Sequence, residues 1–282
     1  MLYKKYYWQH IVYYQVMKFF TALTIGFLCI TALIYLLQKS LIFFPVKMGD
    51  STLQAIKKEF PDAEEITIAS ADSTALRGWL VKPAVTGKVP LIIYFGGNAE
   101  EVSWLISEAH RLKGWGFCLM NYRGYGLSEG SPGEKELYSD ALSIYDYCVK
   151  RGDIDKQRIV VVGRSLGSGV ATYLAQNRAV KGAILICPFD SLVSIGKKHY
   201  PFLPVSLLLK HRFDSASRAP SIKAPLLALL AASDEIIPRK SSMRLIEQWG
   251  GPHSVKIIEG SHNTLQEYAG YWESIEGFLA QY

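Results

Sequence analysis

Residues 159–167 read Ile-Val-Val-Val-Gly-Arg-Ser-Leu-Gly, and the chain continues Ser-Gly-Val-Ala-Thr-Tyr-Leu-Ala to position 175. A short apolar run rich in β-branched residues suits a buried strand. The Gly-x-Ser-x-Gly that follows, opening into helix-forming residues, has the pattern of a nucleophile elbow: a strand turns sharply into a helix and presents a serine at the tip. Gly163 and Gly167 flank Ser165 where a side chain would clash, and Gly169 lets the helix pack close. Five residues alone are a weak signal, so the strand before and the helix after carry the reading. The elbow implies nucleophilic acyl transfer by Ser165 and says where its partners must lie.

Working outward, strands are expected at 65–69 and 75–81, paired antiparallel across Asp72-Ser73, and at 90–95, 116–121, 158–162, 182–187, 226–231 and 254–258. Helical patterning covers 134–150, 166–177, 240–249 and 264–280, with an amphipathic stretch running to Lys113. Strands alternating with helices of this length predict an α/β fold with a mostly parallel central sheet flanked by helices. Right-handed crossovers then bring the carboxyl ends of the strands to one edge, where α/β proteins bind ligands.

A serine at its free pKa needs a base, and the base needs an orienting acid. After an elbow of this kind, acid and base follow the nucleophile in chain order. His253 precedes the strand at 254–258 and would sit at the wrong end of the sheet; His262 follows it, at the edge where Ser165 points. Asp234 follows the strand at 226–231 and is the preferred acid, with Glu235 and Asp190 as alternatives; Asp214 reads as structural. The oxyanion hole needs backbone N–H groups aimed at the developing charge. One donor is expected from Leu166, and the other from the loop Gly96-Gly97-Asn98-Ala99, with Asn98 the central choice and Gly97 next. This chemistry requires no metal and no organic cofactor.

The 31 Lys and Arg against 25 Asp and Glu give a net charge of +6, spread along the chain. With no basic run, zinc spacing or aromatic RNA-binding motif, nucleic acid is not an expected partner, and nothing marks an obligate protein partner. Cys29, Cys118, Cys148 and Cys187 lie in apolar segments without Cys-x-x-Cys spacing and read as buried free thiols. Residues 19–37 carry no charge between Lys18 and Lys39, long enough to cross a bilayer. Tyr3, Tyr6, Tyr7, Trp8, Tyr13 and Tyr14 on one side, with Tyr35, Phe43 and Phe44 on the other, suit its two interfaces. A cleaved signal peptide would have a shorter apolar region and a small-residue cleavage site, which is missing before Gln38-Lys39. Lys4, Lys5 and Lys18 against Lys39 and Lys47 favour a cytoplasmic amino terminus, with the catalytic domain on the non-cytoplasmic side of a single-pass membrane protein.

These motifs together resemble the α/β-hydrolase superfamily, and more narrowly its membrane-anchored bud-emergence-type branch, related to the α/β-hydrolase-domain-containing thioesterases and lysophospholipases. The likeness runs from about Gln38 to the carboxyl terminus, on Leu41-Ile42-Phe43-Phe44-Pro45, Gly97-Asn98-Ala99, the turn from Asn121 to Ser128 (NYRGYGLS), GRSLGSG from Gly163, Asp234-Glu235-Ile236-Ile237-Pro238 and Gly260-Ser261-His262-Asn263. It implies the α/β-hydrolase fold with a Ser165–His262–Asp234 triad. In this chain Gly96 stands where the family usually has His, and Ala231 where it tends to have Gly. The Arg123–Gly126 turn is expected to hold the loop beside the pocket rather than to act chemically.

The expected organisation is a juxtamembrane segment at 1–18, a transmembrane helix at 19–37, a connector at 38–63 and the hydrolase domain at 64–282, with a helical cap insertion at about 188–224. The insertion holds Tyr200-Pro201-Phe202-Leu203-Pro204 and Lys210-His211-Arg212. Its mixture of apolar and basic residues suits an amphiphilic or acyl substrate at a membrane, and equally a packed cap with a solvated basic face. The leading expectation is a membrane-anchored serine hydrolase of small-molecule acyl esters or thioesters, possible lipid derivatives included. An amidase or aminopeptidase would use the same parts. A noncatalytic, membrane-anchored binding protein is the reading from another class; such a decayed relative should lose the serine, the histidine or the elbow glycines, all kept here.

Overall fold

The computed structural model describes residues 2–282, with the side chains of 2–6, 9 and 11 outside the described residues, so Tyr3 and Tyr6 are not placed. Apolar runs covered on both faces become central strands: β3 (Val89–Phe95), β4 (Gly116–Met120) and β6 (Gly182–Ile186) are buried at every residue. With β1 (Glu64–Ala69), β2 (Ala75–Val81), β5 (Ile154–Arg164), β7 (Leu226–Ser233) and β8 (His253–Ser261) they form one eight-stranded sheet, ordered β1-β2-β4-β3-β5-β6-β7-β8. The β1–β2 and β2–β4 pairs are antiparallel and the remaining five are parallel.

Alternation along the strands divides the core. Leu91, Ile93 and Phe95 face one layer while Ile92 and Tyr94 face the other. Helices α4 (Glu134–Lys150), α5 (Leu166–Asn177) and α8 (Arg239–Glu247) cover the first face. Helices α2 (Asp50–Glu59), α3 (Leu105–Ala109) and α9 (Ala269–Leu279) cover the second. The cap, between β6 and β7, carries α6 (Leu192–His199) and α7 (Val205–Leu208).

Several elements differ from the sequence expectation. α2 lies inside the stretch read as connector, because only Leu53 and Ile56 give it a buried stripe. β5 begins at Ile154, before the apolar run, through a register shift between Val89 and Leu91 on β3. The expected helix at 264–280 is a 3-10 turn (Leu265–Glu267) followed by α9. The expected amphipathic stretch to Lys113 yields only a 3-10 turn (Val102–Trp104) and the short α3. Helix α1 runs unbroken from Leu2 to Ile42, and its stretch Val12–Ile42 is long and apolar enough to cross a membrane. Cys118, Cys148 and Cys187 are free and buried, whereas Cys29 is free and exposed on α1, in the part of that helix that stands clear of the rest of the described residues.

Candidate active site

The elbow is a backbone problem first. Ser165 sits at φ 49°, a conformation that L-residues rarely adopt and that persists only where the surroundings enforce it. A Cβ on Gly163 would stand 2.3 Å from the Gly167 carbonyl oxygen, and one on Gly167 would stand 2.1 Å from that of Phe95. Both obstacles are backbone, so only glycine lets α5 leave β5 this tightly.

The three loops at the carboxyl ends of β5, β7 and β8 converge. His262 Nε2 lies 3.0 Å from Ser165 Oγ, and its Nδ1 lies 3.0 and 2.9 Å from the two Asp234 oxygens. With the proton on Nδ1 donated to Asp234, the Nε2 lone pair is left facing the serine hydroxyl. The imidazole is buried, and its backbone N–H donates to Glu235 at 3.3 Å. Burial works to raise the Asp234 pKa, but hydrogen bonds from His262 and from the amides of Ile237 and Ile236 outweigh it and hold the carboxyl below its ordinary value.

Other candidates fall away from this cluster. Asp190 is buried among Ser191, Ser194, Ser241 and Arg244, where it ties the start of the cap to α8 and, among the described residues, makes no hydrogen bond to a histidine. Asp214 accepts from the nearby Ser217, whose amide bonds its carboxylate and whose hydroxyl bonds its carbonyl. His253 is exposed at the first residue of β8, at the opposite end of the sheet from Ser165.

The loop after β3 presents Asn98 to the same cavity. Among the described residues, the N–H groups of Asn98 and Leu166 have no protein acceptor. The Gly97 N–H differs from expectation: it donates to Glu100 at 2.5 Å and is therefore not free to serve as an oxyanion donor. The Asn98 side chain fixes the loop, donating to the Ile42 carbonyl at 2.5 Å and accepting from Phe44 N–H at 3.0 Å and Tyr125 Oη at 2.9 Å. Tyr122 Oη donates to the Gly96 carbonyl at 2.8 Å, so the tyrosines of the 121–128 turn brace this loop. Arg123 is itself buried on Asp140 and Asp72.

Two charged residues escaped the sequence reading. Glu100, buried, accepts from Tyr94 Oη, the Gly97 amide and the Trp104 indole. It also pairs with Arg164, the variable position of the elbow, at 3.1 Å. The same guanidinium reaches the His262 carbonyl and Asn263 Oδ1 at 3.4 Å. One ion pair thus links the loop after β3, the elbow and the histidine loop. The only signals were an acid three residues after Gly97 and an arginine beside the serine. Cys187, which closes β6, has a thiol that burial and the neighbouring Asp234 push up to about 12. Cys187, Asp234 and His262 offer donor atoms within 4.8 Å of one another, close enough to hold a metal ion, although Asp234 and His262 are already bonded to each other.

These groups open onto a cavity of about 530 Å³. Its polar end carries Ser165, His262 and Asn98, and its walls are apolar, including Ile42, Phe44, Phe189 and Ile195. The arrangement suits an acyl group: a carbonyl held at one end and a hydrocarbon wall beyond it.

Known proteins share this fold. Residues 90–205 match the α/β-hydrolase-fold family model, and residues 149–281 match one described as serine hydrolase. An uncharacterized protein of Mycobacterium tuberculosis is 32% identical over 249 residues, 86% of this chain and 88% of that one. A yeast protein, described as an uncharacterized membrane protein of Saccharomyces cerevisiae, is 31% identical, covering 77% of this chain and 80% of its own. Among solved structures, a Pyrococcus furiosus esterase superposes with a TM-score of 0.65 at 21% identity, over 84% of this chain and 98% of that one. An acetyl xylan esterase from Paenibacillus sp. R4 gives 0.64 at 19% identity, over 87% and 98%. The chain belongs to the α/β-hydrolase family, among its serine hydrolases.

Proposed function

We propose that the protein is a membrane-anchored serine hydrolase that cleaves carboxylic esters or thioesters of acyl groups through a Ser165–His262–Asp234 triad. The contact between His262 Nε2 and Ser165 Oγ at 3.0 Å, with Nδ1 held by Asp234, carries this reading. Ser165 Oγ attacks the carbonyl carbon while its proton passes to Nε2, and the buried Asp234 carboxylate stabilises the imidazolium that forms. The Leu166 and Asn98 amides receive the oxyanion. His262 then returns the proton to the leaving alkoxide or thiolate, and the alcohol or thiol departs from an acyl-enzyme. Water, deprotonated by His262, releases the acid and restores Ser165.

Helix α1 serves as the anchor, supported by its apolar stretch Val12–Ile42 and by the yeast relative described as a membrane protein. The lysine excess on its amino side supports a catalytic domain on the non-cytoplasmic face. Turnover of a short p-nitrophenyl ester by the full-length protein tests the reading. Ser165→Ala is expected to lower kcat by a factor of about 10⁴ or more. Equal turnover by wild type and variant would remove Ser165 from the reaction.

A further inference from the structure

The end of α1 is part of the cavity. Ile42, its last residue, and Phe44 stand in the wall with Leu192 and Ile195 of the cap. The same helix end is tied to the cap's far side. Gln38 donates to the Leu208 carbonyl at 3.3 Å and accepts from the Lys210 N–H at 2.7 Å, and Lys210 Nζ lies 3.9 Å from the centre of the Tyr35 ring.

These ties fix the depth of the cap. Lys18 and Lys39 bound the uncharged part of α1. At about 1.5 Å per residue they stand about 31 Å apart, close to the thickness of a bilayer's hydrocarbon core. Gln38, next to Lys39, therefore lies at the membrane surface, and the cap residues bonded to it lie there too. On that part of the cap Val205 is buried, but Phe202 is 89% and Leu207 84% exposed, and Tyr200 is also exposed. Large apolar side chains left bare within one short segment mark an interaction surface rather than ordinary surface scatter. Lys197, Lys198 and Lys210 are exposed beside them and make no ion pair among the described residues. Apolar side chains flanked by cations match an interface with anionic headgroups.

We propose that cap residues 200–210 and the end of α1 form a collar seated in the bilayer interface, through which a long-chain acyl ester of a membrane lipid reaches Ser165 directly from the leaflet. The inference rests on the reading of Ser165 as nucleophile and α1 as anchor. It adds the source of the substrate: a lipid already in the membrane, rather than an ester arriving from water.

The full-length protein, reconstituted in phosphatidylcholine–phosphatidylglycerol vesicles, tests it with Phe202→Ser combined with Leu207→Ser. Neither residue lines the cavity. The rate on a long-chain fluorogenic ester embedded in the vesicles is expected to fall about tenfold, while the rate on a soluble short ester stays within about twofold. An unchanged vesicle rate, or an equal fall on both esters, overturns the collar. A second readout needs no turnover. In Ser165→Ala protein that also carries Phe202→Trp, the added indole is expected to be quenched by lipids brominated near the headgroup. No quenching beyond the parent protein also overturns the collar, while failure of the hydrolase reading would show in the soluble-ester rate alone.

Discussion

The strand-end edge beneath the cavity and the outer face of the cap are built on opposite terms. On the strand-end side, Ser165, Asp234, His262, Glu100 and Arg164 hold one another through hydrogen bonds and an ion pair, and none of their buried side-chain polar atoms lacks a partner. On the outer face of the cap, Phe202 and Leu207 stand almost bare, and Lys197, Lys198 and Lys210 make no ion pair among the described residues. Chemistry asks for groups fixed to within fractions of an ångström, which a rigid sheet edge provides. The proposed uptake of an acyl group from a bilayer asks for apolar surface on the outside, which an insertion can carry without disturbing the sheet. Substitutions on the strand-end side should therefore cost turnover on every ester, whereas those on the cap should discriminate between esters.

Asp234→Asn sharpens the contrast most. It leaves the imidazole in the wrong tautomer and is expected to lower kcat on a short ester by a factor of about 10⁴ with the fold intact by circular dichroism. Asp190→Asn, on the cap side of the same edge, should loosen the junction of cap and α8 yet keep most of that activity. A larger kinetic loss from Asp190 than from Asp234 would break the comparison.

Arg164→Met comes next. It strands the Glu100 carboxylate among Tyr94, Trp104 and the Gly97 amide, with both partners of the pair largely buried. Unpairing a buried charge costs about 3–5 kcal/mol, readable as a lowered midpoint in urea. Adding Glu100→Gln should recover part of that loss, since the stranded charge is gone. Recovery of nothing would mean that Arg164 acts through the His262 loop instead.

Much of this site was legible in the sequence, for a physical reason. The elbow depends on glycines at Gly163 and Gly167, and the triad depends on which end of a strand a residue follows; both are local. His262 could be chosen over His253 because one follows and the other opens the same strand. The Glu100–Arg164 pair was not legible, since its members are 64 residues apart and meet only when β3 and β5 lie side by side. The role of α1 in the cavity wall was equally hidden. A run of apolar residues ending in Leu-Ile-Phe-Phe reads as an anchor, and nothing local says that Asn98 will hold the Ile42 carbonyl. Gly97 failed as a donor for the same reason: its amide was free on paper, and Glu100 takes it in the fold.

The smallest expected effect concerns Cys187. Its thiol, pushed up to about 12 from an ordinary value of 9.0 by burial and by Asp234, stays neutral at pH 8 and should resist iodoacetamide in the folded protein. Because the unfolded thiol ionises first, stability from this group is constant below pH 9.0 and declines as the pH rises toward about 12. Asp234 has the opposite sign. Its contribution is full above 3.8 and is lost as the pH falls through the lower folded value. Rapid alkylation of Cys187 in folded protein would show that the strand-end side is less closed than described.

The central claim is that Ser165 is an activated nucleophile, and covalent labelling by a fluorophosphonate tests it most directly. The wild-type protein is predicted to take up one probe on the peptide containing Ser165, and Ser165→Ala to take up none, with His262→Ala labelled far more slowly and His253→Ala at the wild-type rate. An unlabelled wild type, or a Ser165→Ala variant labelled as readily, would contradict it.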